Sequence, residues 1–161
     1  MHILVELNGV IRGNNSDPIA PGIIMVGSLS GWNQLTFMSD TSEPETLAWL
    51  NGNKIVDFDR IIDNSVYLND EDPCERQIKV ARSRGSIDLF ITNNPKNWAF
   101  AFNLGIPSVM FAVPSYTRPE FRPDAPKRVR AWNDIENAIT KQNELRTQDA
   151  RLTRTESLNF E

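Results

Sequence analysis

The strongest constraint on this chain is an alternation of short apolar runs with longer helix-like segments. Met1–Val5 is an apolar run that stops at Glu6, and Ile87–Ile91 (Ile-Asp-Leu-Phe-Ile) is the next clearest; both read as strands buried on two faces. Leu35–Met38, Arg60–Ile62 and Ser108–Val113 are three further strand candidates. Glycine and proline punctuate the segments between them. Pro44 follows Ser42 in a Ser-x-x-Glu pattern that predicts a capping box with Glu45, and the helix it opens ends near Gly52. Pro73 opens a helix running to about Arg84, stopped by Gly85, and Pro95 opens one closed by Gly105. The segment after Pro21 carries Ile23, Ile24, Val26 and Leu29; its periodicity fits helix or strand, and the strand that follows favours helix.

Strands alternating with helices over this length imply βαβ units. The expected fold is therefore α/β: a three-layer sandwich around a central parallel sheet of Rossmann type. With 161 residues the chain suffices for one domain with a sizeable core. Residues 1–145 are expected to form it, and 146–161 to be a charged helix end or tail. A last helix begins at Trp132, with Ile135, Ala138, Ile139 and Leu145 on one face. Trp32, Trp49, Trp98 and Trp132 read as core or near-core residues, and His2 as an edge residue.

Composition removes several functions. A single cysteine, Cys74, allows no internal disulfide and fits a reducing compartment, so a cytoplasmic location is expected. One histidine and one cysteine argue against a structural zinc site. No apolar run has membrane-spanning length. A net charge of −4 argues against nucleic-acid binding by bulk electrostatics.

The residues after the first strand, Val5-Glu6-Leu7-Asn8-Gly9-Val10-Ile11, carry the functional argument. They resemble the first motif of the haloacid dehalogenase-like (HAD-like) phosphatases, in which a strand ends in Asp-x-Asp-Gly. The resemblance implies a nucleophile at Glu6 and a general acid/base at Asn8. It also implies a phosphate-binding hydroxyl at Ser39, a phosphate-neutralising cation at Lys79 with Arg76 one turn earlier, and places Asn93 and Asn94 where the family carries its Mg²⁺-binding acids. The stretch from Lys79 to Val113 is most similar to the phosphatase half of phage-type polynucleotide kinase/phosphatases, which would place the protein in the cytoplasm of a phage host. No insert is large enough for a cap domain; the loop from Arg12 to Pro21 matches a small flap at most.

The departures from the pattern are chemical. Glu6 is one methylene longer than the family's aspartate, and a misplacement of about 1 Å can cost ~10²-fold in rate. Asn8 cannot exchange a proton. Asn93 and Asn94 are neutral donors that hold a hard dication far less well than carboxylates, so a vestigial Mg²⁺ site of Glu6, Asn8, Asn93 and Asn94 is expected to stay empty. Each residue also has a structural reading: Asn8-Gly9 as a turn, Ser39 as a turn residue, Lys79 as a solvated helix residue, and Asn94 as the cap of the helix opened by Pro95. The expectation is a HAD-like protein that has lost phosphatase activity, needs no cofactor and acts by binding a ligand or partner. The alternative is an active Mg²⁺-dependent phosphatase acting on a phosphate ester or nucleotide. A proline- and arginine-rich stretch over 114–130, with Tyr116, Arg118, Phe121 and Arg122, and the terminal helix are the candidate surfaces for a protein partner.

Overall fold

In the computed structural model, which describes residues 1–114 and 131–148, the alternation becomes a five-stranded, wholly parallel sheet. The strands are β1 (His2–Glu6), β2 (Gln34–Met38), β3 (Arg60–Ile62), β4 (Leu89–Thr92) and β5 (Ser108–Met110). The helices are α1 (Ala20–Ser30), α2 (Glu43–Gly52), α3 (Pro73–Ser83), α4 (Pro95–Asn103) and α5 (Ala131–Gln148), with a 3-10 turn at Asn64–Val66. The strand order is β3-β2-β1-β4-β5, so the chain's first strand lies at the centre and the chain reverses direction across it. Such a reversal leaves a crevice beyond the carboxyl ends of the two strands that flank it.

Alternation along β1 divides the core. Ile3 and Val5 join Leu35, Phe37, Val26 and Leu50 under α1 and α2. Leu4 joins Met38, Ile62, Ile78, Phe90 and Ala101 under α3 and α4. Three layers result, and the fully buried Ile3, Leu4 and Val5 explain why this strand reads as an unbroken apolar run. α5 lies outside that sandwich: Ala138 and Ile135 pack on Trp98 and Ala99 of α4. Ile139 and Leu145 are largely exposed and take no part in the expected apolar face.

Several local expectations are revised. β4 begins at Leu89, because Ile87 packs into the core ahead of the ladder, and β5 ends at Met110, short of Val113. Ser42 occupies the cap position of α2 without a side-chain bond; the Glu43 N–H is taken by Asp63 Oδ2 at 2.9 Å, from beyond β3. His2 stands on the central strand, its ring bonded to Ser86 O and Thr36 Oγ1, both at 2.8 Å. Trp32 is 93% exposed, in the turn between α1 and β2. The partner-surface residues Tyr116, Arg118, Phe121 and Arg122 lie outside the described residues, as does the tail beyond Gln148.

Two glycines are fixed by close approach. A Cβ on Gly22 would stand 1.7 Å from Val10 O, so α1 packs directly on the loop after β1. Gly9 has φ +82°, and a Cβ there would meet the Asn93 side chain at 2.7 Å. No helix among the described residues is long and apolar enough to cross a membrane.

Candidate functional site at the carboxyl ends of the sheet

The register β1–β2–β4 brings Glu6, the residues after Met38 and the residues after Ile91 to the same end of the sheet. Two polar clusters form there. In the first, Glu6 accepts the Thr92 hydroxyl and both Oε1 and Oε2 accept the Asn97 amide at 3.1 Å. The Cys74 thiol, in the first turn of α3, lies 3.8 Å from Oε1. Burial pushes the Glu6 carboxyl above its ordinary range, and the Thr92, Asn97 and Cys74 donors offset part of that rise. Burial, reinforced by the Glu6 charge, pushes the Cys74 thiol up to about 12, so it stays protonated at neutral pH.

The second cluster is built on Arg12. The loop after β1 closes on itself: Gly9 N–H donates to Arg12 O at 2.8 Å and Arg12 N–H to Leu7 O at 3.0 Å. That places the guanidinium above the strand ends. Its Nε donates to Asn8 Oδ1 at 2.8 Å, and its Nη2 to Asp40 Oδ1 at 2.8 Å and to Ser39 Oγ at 3.4 Å. The Trp49 ring lies 5.6 Å from the guanidinium carbon, and its indole N–H donates to Ser16 O at 2.7 Å, tying α2 to the same loop. Burial lowers the Arg12 pKa, opposed by the Asp40 charge. Ser39 Oγ also receives the Thr46 hydroxyl at 2.7 Å and sits 3.1 Å from Thr41 Oγ1, so Ser39 links the guanidinium to two further hydroxyls.

Of the residues expected here, Glu6, Asn8, Ser39, Asn93 and Asn94 all reach this end of the sheet. Asn93 donates to Phe111 O at 2.8 Å, and Asn94 caps α4 through Lys96 N–H at 2.9 Å. Lys79 does not join them. It lies on the outer side of α3, paired with Glu71 and 5.9 Å from the Phe100 ring centroid, because Cys74, Gln77, Ile78 and Ala81 take the inner face. Arg76 likewise turns to Val66 O and Glu71. The cations near the site are instead Arg12 and Lys96, whose Nζ reaches Asp72 Oδ2 at 3.1 Å. Gln77 takes a structural role, its amide donating to Ser39 O at 2.7 Å and Ile62 O at 3.0 Å.

Of the residues the sequence did not single out, Asn97 carried a signal: three residues past the Asn94 cap, it stands on the first turn of a helix that starts at the strand end. Arg12, in an irregular loop, carried none. The donor set does not suit Mg²⁺, which needs hard anionic oxygens free to coordinate. Both Glu6 oxygens already accept hydrogen bonds, Asp40 is paired with Arg12, and no group of three His, Cys, Asp or Glu among the described residues is placed to hold a metal. Compared with models of protein families and with curated proteins, the chain matches none.

Proposed function

We propose that this chain is a HAD-like protein that does not transfer phosphoryl groups and acts by binding an oxyanion at the carboxyl end of its sheet. The observation that carries this reading is the state of Glu6. Its two oxygens are held by Thr92 and Asn97, and burial raises its pKa against those donors. A carboxyl so engaged is a poor nucleophile. Asn8, at the acid/base position, is an amide that receives Arg12 Nε. Losing general acid/base help costs about 10²–10⁴ in rate by itself.

The anion-binding half of the proposal rests on Arg12. Its guanidinium is buried and braced by Asn8 and Trp49, whereas its partner Asp40 is exposed over more than half its side chain. An incoming oxyanion can take the place of Asp40 against a preset guanidinium, with the Ser39 hydroxyl beside it.

Two measurements test this. Turnover of p-nitrophenyl phosphate and of nucleotides with Mg²⁺ should not exceed that of Glu6→Ala; robust turnover that Glu6→Ala abolishes would establish the phosphatase alternative. Inorganic phosphate, titrated by calorimetry, should bind about fivefold more tightly to Asp40→Asn, the equivalent of ~1 kcal/mol for an exposed competing charge. It should not bind to Arg12→Ala. Phosphate binding that ignores both substitutions would refute the anion site.

A further inference from the structure

At the opposite end of the sheet lies a cleft of about 810 Å³. Its floor follows from the register: His2 pairs with Gln34, and Thr36 with Arg60, on the amino-terminal side of the sheet. The alternation that turns Leu4, Met38 and Ile62 toward α3 assigns His2, Gln34, Thr36 and Arg60 to that same face. α3 ends at Ser83, and the turn that follows, with Arg84, Ser86 and Asp88, forms a wall. Trp32 also lines the cleft.

Three features of this cleft leave binding capacity that the fold does not use. Trp32 is 93% exposed and packs on nothing that would stabilise the domain. The guanidinium groups of Arg60 and Arg84 are exposed, with no ion-pair or hydrogen-bond partner among the described residues. Asp59 and Asp88 each give one oxygen to a backbone N–H, Leu35 at 2.7 Å and His2 at 2.8 Å, which leaves the other oxygen of each without a partner among the described residues. Together they present a planar aromatic face, two unneutralised cations and two anchored acceptors, in a volume suited to a small molecule.

We propose that this cleft binds a mononucleotide. The indole offers a stacking face for the base, the guanidinium groups meet the phosphate, and the outward carboxylate oxygens accept from ribose hydroxyls or a base amine. The two acids set beside the two arginines disfavour a polyanion, and with them a nucleic-acid strand, in a chain of net charge −4. The cleft lies across the sheet from Arg12, and the proposal stands apart from the oxyanion site.

Calorimetric titration of the whole protein with AMP, GMP, CMP and UMP, beside adenosine and inorganic phosphate, tests it. At least one mononucleotide should bind. Trp32→Ala should weaken that binding about tenfold, as loss of a stacked base does. Measured in the Arg12→Ala background, so that the oxyanion site does not contribute, the double variant Arg60→Ala/Arg84→Ala should erase the advantage of nucleotide over nucleoside. The proposal is overturned if none of the four binds at millimolar concentration, or if binding survives Trp32→Ala and is lost in Arg12→Ala. It is equally overturned if Trp32→Ala converts an oligomer to monomers with nucleotide binding unchanged, which would make the cleft an interface between copies of the chain.

Discussion

At the scale of single residues, Glu6 is a carboxyl whose partners do not fully offset its burial. Its folded pKa is raised, so folding favours the protonated form. The stability linked to that proton is fully present below the ordinary glutamate pKa and is lost as the pH rises through the folded value. Glu6→Gln removes the titration. The variant should therefore match the native chain in thermal unfolding at pH 4 and exceed it at pH 8, by about 1.4 kcal/mol for each pH unit by which burial has raised the carboxyl. A native chain more stable than Glu6→Gln at pH 8 would mean that the Thr92 and Asn97 bonds outweigh desolvation. The sequence marked Glu6 by its place at a strand end, but its partners come from β4 and α4, far along the chain, and no local pattern pairs them. The misreading of Lys79 is of another kind. Cys74, Gln77, Ile78 and Ala81 recur at helical spacing, and that spacing already turns position 79 outward.

The elements themselves were legible because their punctuation is strong. Pro73 and Pro95 lie at the first positions of α3 and α4, behind the caps Asp72 and Asn94. α2 shows where such reading stops. Ser42 and Glu45 have the spacing of a capping box, yet the cap comes from Asp63, which also accepts Ser65 N–H at 3.1 Å. One carboxylate thus joins the end of β3 to the start of α2, an arrangement a linear pattern does not encode. Asp63→Ala should cost about 1–2 kcal/mol in urea unfolding, against little for Ser42→Ala. The Ser65 hydroxyl, ahead of the backbone N–H groups, holds the Asp63 carboxyl below the usual range. Its contribution is therefore present above the ordinary aspartate pKa, and the gap between native and variant should close as the pH falls through the lowered value. Equal losses in the two variants would return the cap to Ser42.

For the whole molecule, strand order dictates where the fold is firmest. β1 is paired on both edges and covered on both faces, whereas β3 and β5 are three-residue edge strands. Native-state hydrogen exchange should find the slowest amides at Leu4 and Val5, with the edge strands opening by smaller fluctuations. Faster exchange in β1 than in β3 would contradict the buried central strand that the first residues announced. The sheet's parallel sense and layering could be read from strand–helix alternation, since parallel strands need crossover helices and both faces then become apolar. The two ends of the sheet could not, because both are assembled from strand-end and loop residues far apart in the chain, whose proximity is set by the order of strands.

The grip of Asn97 on both oxygens of Glu6 also bears on descent. Shortening position 6 to aspartate withdraws the acceptor and strands a buried amide, while replacing Asn97 alone leaves a buried carboxyl short of donors. Neither change is tolerated easily without the other, so related chains are expected to change the two positions together.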